Sequence, residues 1–238
     1  MRIACWSGPR NISTALMRSW SSRKDTFVSD EPFYSYYLKS SGIKHPMKDE
    51  IIKKYNFNRN EIIKKISSDI PNNKKIWYQK HMAHHMINIH NFSWITNFKN
   101  CILIRHPKYV INSYVQKNVL KDVNELGYPQ QVKIIEFLLR KNLPFYIVNS
   151  DELITNPKKE LIEWCKNLNL EFDEAMLSWD KGPHLSDGIW GEHWYDKINQ
   201  STGFSRTKKT VINEDNLKNH RQIFSKAMTY YEKIYNMI

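Results

Sequence analysis

The chain predicts a three-layer α/β protein: a mainly parallel central sheet of about five strands with helices on both faces. Three observations carry this. Short apolar, β-prone runs alternate with longer segments of helical spacing along the 238 residues, the pattern of βαβ units. One run, Cys101-Ile102-Leu103-Ile104, is apolar throughout, as suits a strand covered on both faces. Polar clusters follow the strands, and in parallel sheets ligands bind at the carboxyl ends of strands.

Each element has its local reason. The first run, Ile3-Ala4-Cys5-Trp6, ends at the turn Ser7-Gly8-Pro9, and Ile12, Leu16, Met17 and Trp20 then form the apolar stripe of a helix. Thr26-Phe27-Val28-Ser29-Asp30 is a second strand. It stops at Glu31, because Pro32 disfavours a helical conformation in the residue before it. Residues 48–68 are helical in tone, with a break at 56–58 and Asn60 expected as the cap before Glu61. Lys75-Ile76-Trp77-Tyr78-Gln79 is the third strand, and Lys80-His81-Met82-Ala83-His84-His85 is expected to open a helix.

The fourth strand ends at Arg105-His106-Pro107. Pro107 suits a first helical position, and Val110, Ile111, Tyr114 and Val115 supply the inner stripe. A helix follows over residues 128–141, and Phe145-Tyr146-Ile147-Val148 is the fifth strand. Asn156-Pro157 starts a helix bearing Leu161, Trp164, Cys165 and Leu168. Across residues 179–210 glycines interrupt a run of aromatics, which predicts an ordered loop serving as a lid or acceptor loop. A single helix over about 214–235 ends the pattern. There is no repeat or low-complexity linker, so residues 1–238 are read as one domain.

Composition narrows the function classes. Hydrophobic residues make up 41% and aromatics 13%, enough for a sizeable core. No apolar run approaches the roughly 20 residues that span a bilayer, and no signal-peptide pattern precedes the first strand. Three scattered cysteines lack metal-ligand spacing and favour a reducing compartment, so a cytoplasmic protein without membrane attachment is expected. The net charge of +12, from 36 Lys+Arg against 24 Asp+Glu, points to anionic ligands. Lysine pairs are dispersed rather than clustered, which suits solvated faces better than a nucleic-acid groove. Homo-oligomerisation is left open.

The strongest motif is the first strand–loop–helix. Helix N-terminal N–H groups lack intrahelical partners and carry partial positive charge, so such a loop attracts phosphate or sulfate. The segment Ser7-Gly8-Pro9-Arg10-Asn11-Ile12-Ser13-Thr14 lacks the Gly-Lys-Ser/Thr ending of a Walker A loop. It resembles instead the phosphosulfate loop of sulfotransferases, with Ile12 where that family usually has glycine. Arg105, eight residues before Ser113, is similar to the family's 3′-phosphate segment. Asp30-Glu31-Pro32-Phe33 resembles the segment bearing the glutamate base in certain bacterial carbohydrate sulfotransferases.

That resemblance implies a P-loop-like fold and 3′-phosphoadenosine 5′-phosphosulfate (PAPS) as donor, with adenosine 3′,5′-bisphosphate as product and no metal required. It implies that Ser7, Gly8, Arg10, Asn11, Ile12, Ser13 and Thr14 cradle the phosphosulfate while Arg105 and Ser113 select the 3′-phosphate. Glu31 is the first candidate for the base and His81 the second, with Lys80 a cation near the transferring group. The acceptor is a small molecule bearing a hydroxyl or amine. A late segment, Lys181-Gly182 or Arg206-Thr207-Lys208, is a candidate to close the donor site. Plainer readings stand beside these: Arg105 as an ion-pair partner, Ser113 as a packing residue, Glu31 as a helix-start acceptor. A kinase-like enzyme on the same scaffold and a basic nucleic-acid-binding module are the alternatives. Metal binding by His81, His84 and His85 lacks the supporting His-Glu-x-x-His pattern, and His84 and His85 read instead as packing or acceptor-pocket residues.

Overall fold

In the computed structural model, which describes residues 1–204 and 212–238, the strands β1 (Arg2–Ser7), β2 (Thr26–Asp30), β3 (Ile76–Met82), β4 (Lys99–Ile104) and β5 (Phe145–Asn149) form one sheet. Every pairing is parallel and the order is β2-β3-β1-β4-β5. The first half of the chain adds α1 (Ser13–Ser21), α2 (Tyr34–Ser41), α3 (Lys48–Lys54), α4 (Arg59–Ile66) and α5 (Pro107–Tyr114). The second half adds α6 (Tyr128–Arg140), α7 (Ser150–Thr155), α8 (Pro157–Asn167), α9 (Gly191–Trp194), α10 (Asp196–Asn199), α11 (Glu214–Asn219) and α12 (Arg221–Tyr235).

Strand alternation divides the core between the two faces. Leu16, Met17 and Trp20 of α1 and Leu161, Trp164 and Cys165 of α8 pack with Ile3, Cys5, Tyr78 and Leu103. On the opposite face Ile62 and Ile66 of α4, Val110 and Ile111 of α5, Ile134 and Leu138 of α6 and Tyr231 of α12 pack with Ala4, Trp6, Ile102 and Ile104. The path from β1 leads outward to β2, whereas the path from β4 leads the other way to β5. The carboxyl ends of the adjacent strands β1 and β4 therefore form a topological switch point, where such sheets open a crevice.

Three local expectations are corrected. Lys80, His81 and Met82 do not open a helix. They remain in β3, where His81 pairs with Trp6 and Met82 with Ser7, and a three-residue 3-10 turn at Ala83–His85 follows. Buried between β1 and β2, this backbone needs ladder partners on both sides, and that need overrides helical spacing. The cap of α4 is Asn58, whose side chain accepts from the N–H groups of Asn60 and Glu61. The C-terminal helix is two, α11 and α12, separated by His220 at φ −116°, ψ 27°.

The late glycine- and aromatic-rich stretch is anchored at its base by an antiparallel bridge between Ser178 and Gly203. It carries α9 and α10 and buries Trp179, Trp190 and Tyr195. The segment 206–208 weighed above lies outside the described residues. Cys5, Cys101 and Cys165 are buried free thiols. Among the described residues no helix is long and apolar enough to cross a membrane.

A buried ion pair fixes this stretch to the first helix. Arg18 of α1, 1% exposed, donates to Asp187 Oδ2 at 2.6 Å and to Asn199 Oδ1 at 3.3 Å. Breaking such a pair from one side strands a charge in low dielectric, at a cost of about 3–5 kcal/mol. Asp187→Ala should therefore lose stability of that order in urea denaturation, and limited proteolysis should cut first within residues 179–204.

Candidate active site

The switch-point crevice is lined by the β1–α1 loop, and Gly8 shows why its path is fixed. A Cβ on Gly8 would lie 2.3 Å from the carbonyl oxygen of Leu126, so only glycine admits this close backbone approach. Asn11 donates to Leu103 O at 3.2 Å, and the Ser150 hydroxyl donates to Asn11 O at 2.8 Å, tying the loop to the ends of β4 and β5. The Ser7 hydroxyl donates to Gly8 O. Two turns of the loop are left-handed: Arg10 has φ 63° and Ile12 φ 58°. Ile12 thus keeps the backbone that glycine would adopt freely, at a cost of about 1–2 kcal/mol for an L-residue. Its side chain recovers part of this by packing against the cluster that contains Leu16. Ser13 then starts α1, and among the described residues the N–H groups from Asn11 to Thr14 donate to no other protein group.

Two guanidinium groups meet above the loop. Arg10 Nε donates to Ser113 Oγ at 2.8 Å, and Arg105 donates to the carbonyl oxygen of Arg10 at 3.0 Å. Arg105 also faces Asp151, at 3.3 Å. Arg10 has no carboxylate partner among the described residues. Burial and the neighbouring Arg105 charge both lower its pKa. The structure therefore brings Arg10, Arg105 and Ser113 together at the ends of β1 and β4.

Beside the loop, β3 delivers Lys80 into a buried polar knot. Its ammonium lies 2.9 Å from Asp30, 2.8 Å from Glu31 Oε1, 3.0 Å from Thr14 Oγ1 and 2.6 Å from the Tyr195 hydroxyl. Tyr195 in turn donates to Asp30 Oδ2 at 2.8 Å, as does the Gly188 N–H at 3.1 Å. Burial alone would lower the lysine pKa; Asp30, Glu31 and Tyr195 override it and raise the value well above normal. Lys80 is a fixed cation.

Glu31 is held in a strained conformation, φ 40°, with its N–H bonded to Lys80 O at 3.0 Å. Backbone outliers of this kind gather at functional sites. Burial, with Asp30 adding and Lys80 opposing, pushes its carboxyl up to about 6. His81 does not join the cluster. Strand alternation turns it to the other face, where it stacks on Trp6 at 4.6 Å and bonds Gln79 at 3.1 Å. Burial there lowers its pKa to about 3. His85 does reach the cluster, with Nε2 3.9 Å from Glu31 Oε2. The sequence offers His85 only as a packing or acceptor-pocket residue and gives Tyr195 no role, since it lies far along the chain in a segment with no motif. Removing the lysine charge should expose the knot's dependence on it: Lys80→Met leaves Glu31 buried beside Asp30 without the cation that opposes its rise, so the folded-state pKa of Glu31 goes up further. The folded state binds protons more tightly than the unfolded one in that case, so the variant's stability deficit should grow between pH 5 and pH 8 in denaturation measurements.

Comparisons with known proteins agree with this architecture. The family model for the sulfotransferase domain matches residues 1–235. Two Arabidopsis thaliana proteins, branched-chain-amino-acid aminotransferase-like proteins 1 and 2, are each 35% identical over 207 residues, 87% of this chain. The chain spans 37% of the length of these relatives. The fold also matches the crystal structure of a sulfotransferase from Alicyclobacillus acidocaldarius, with TM-score 0.58 and 10% identity over 98% of this chain and 94% of that one. With its five-stranded parallel sheet in a P-loop-like α/β arrangement, the chain belongs to the sulfotransferase domain family.

Proposed function

We propose that this chain transfers a sulfuryl group from PAPS to a hydroxyl or amine of a small-molecule acceptor, releasing adenosine 3′,5′-bisphosphate. The observation that carries the reading is the meeting of Arg10, Arg105 and Ser113 beside a loop whose N–H groups have no protein partner. One anion at a helix start would need no second arginine. Two guanidinium groups and a hydroxyl at the ends of neighbouring strands suit a donor carrying a second phosphate.

In this scheme Arg10, Ser13, Thr14 and the N–H groups of the loop hold the phosphosulfate, and Arg105 and Ser113 hold the 3′-phosphate. Lys80, bonded to Thr14 of the loop helix and to Glu31, would place a fixed positive charge beside the transferring group and stabilise the charge that develops there. Glu31 takes the acceptor's proton. His81, turned into the core, is the weaker candidate base. Residues 179–204 form one wall of the site through Tyr195 and Gly188. The buried free thiols favour a reducing compartment, and we place the protein in the cytoplasm on that ground. Lys80, paired with two carboxylates, does not suit the Schiff-base role that a transaminase asks of a lysine.

Calorimetric titration should show adenosine 3′,5′-bisphosphate binding more tightly than ATP with magnesium; the reverse order would favour a kinase-like enzyme. Arg105→Ala should weaken the bisphosphate by about 10–100-fold and adenosine 5′-phosphate far less, the loss of a charge-assisted contact. Equal losses would mean that Arg105 only supports the loop. For the base, Glu31→Gln should reduce sulfate transfer by roughly 10²–10⁴-fold. The wild-type rate should climb as pH passes through about 6, because the carboxylate is the active form. An acid limb unchanged in the variant's residual activity would assign the base elsewhere.

A further inference from the structure

Glu31 has one oxygen to spare. Oε1 is committed to Lys80 at 2.8 Å, whereas Oε2 faces His85 Nε2 across 3.9 Å, too far for a direct hydrogen bond. An atom placed about 2.8 Å from each would bridge the gap with roughly a right angle at its centre, a geometry open to an sp³ oxygen or nitrogen. The His85 ring is clamped: Tyr34 stacks on it at 4.9 Å and 5°, Tyr37 at 4.7 Å and 22°, and His84 meets it edge-on at 4.5 Å. Nδ1 is buried with no hydrogen-bond partner among the described residues.

From this juxtaposition, and resting on the sulfuryl-transfer reading of the same site, we infer that the acceptor atom is a hydroxyl oxygen, not an amine nitrogen, and that it is held between Glu31 Oε2 and His85 Nε2.

The argument turns on where His85 carries its proton. Burial comes first, and the neighbouring His84 and His45 and then Lys80 follow, in holding the ring neutral, so it carries one N–H. At Nδ1 that N–H would meet nothing. At Nε2 it faces a carboxylate oxygen, which attracts it. His85 is therefore a donor into the gap and Glu31 an acceptor from it. An atom between them must accept one hydrogen bond, donate another and still present a lone pair to sulfur. A hydroxyl oxygen has two lone pairs and one proton and meets all three demands. A neutral amine has a single lone pair, and accepting from His85 would consume the pair needed for attack.

The step then balances without a further reactant. The acceptor oxygen forms the new O–S bond, and the S–O bond to the 5′-phosphate breaks. The bisphosphate leaves with that electron pair, and the acceptor's proton passes to Glu31 Oε2. His85 keeps its proton throughout and orients the nucleophile.

The tautomer is measurable without knowing the acceptor. Long-range ¹H–¹⁵N spectra of the ¹⁵N-histidine-labelled full chain at pH 7, assigned with His85→Gln, should show His85 neutral and protonated on Nε2. Protonation on Nδ1, or an imidazolium, overturns the inference. With PAPS as donor, the matched probes 2-naphthol and 2-naphthylamine, and 1-octanol and octylamine, should yield O-sulfated product from the alcohols and none from the amines. An N-sulfated product as the main one overturns it. Bisphosphate release into water, the smallest hydroxyl acceptor, should fall about tenfold in His85→Phe and be largely kept in His85→Gln, which still donates an N–H. Equal release by wild type and His85→Phe counts against it. A protein that binds no bisphosphate fails the sulfuryl-transfer reading, whereas one that binds it with His85 protonated on Nδ1 fails only this inference.

Discussion

The buried ammonium of Lys80 is the constraint around which the site is built. A cation only 1% exposed is tolerable only if anionic and polar oxygens replace its water, since an uncompensated buried charge costs several kcal/mol. The replacements come from three places: Asp30 and Glu31 at the end of β2, Thr14 on α1 and Tyr195 near the start of α10. Satisfying one lysine therefore fixes the loop helix, the edge strand and the late segment against one another. Arg18, one turn after Thr14 on α1, repeats the device with Asp187. The late segment is thereby a packed wall, held by two buried ion clusters rather than by apolar contact alone.

The same rigidity explains where backbone strain collects. Arg10, Ile12 and Glu31 all have positive φ, and all lie at the carboxyl ends of β1 and β2. A short loop on its own would relax out of such conformations, each of which costs about 1–3 kcal/mol. Here Asn11 is bonded to β4, Ser150 holds the loop carbonyl, and Glu31 is pinned to the Lys80 backbone. The parallel sheet supplies the stiffness and the loops carry the chemistry.

How much of this was legible in the sequence follows from what each feature depends on. The strands and their order of appearance were readable because apolar runs and turn residues are local signals. The convergence of the β1–α1 loop with Arg105 and Ser113 was also readable, because spacing after a strand decides which rim a side chain reaches. The end of β3 was misread: the histidines after Gln79 look helical, and only the presence of neighbouring strands on both sides keeps Lys80 to Met82 extended. That one-element error matters, because strand alternation separates Lys80 from His81 and sends one to the site and the other to the core. Tyr195 and Asp187 were invisible for another reason. Their partners are more than a hundred residues away, and no local pattern encodes a contact at that separation.

The two sides of the crevice differ in their electrostatics. One side offers two guanidinium groups and loop N–H groups without a partner among the described residues, which suits the charged donor we propose, and Ile12 there holds a left-handed backbone at φ 58°. The other side is made of neutral aromatic and imidazole rings packed beside Glu31, with burial holding His84 at a pKa of about 3 and His85 well below its usual value. Neutral rings do not compete with Lys80 for Glu31. In the transfer we propose, that asymmetry would send the acceptor's proton to the carboxylate and the developing negative charge to the cationic side.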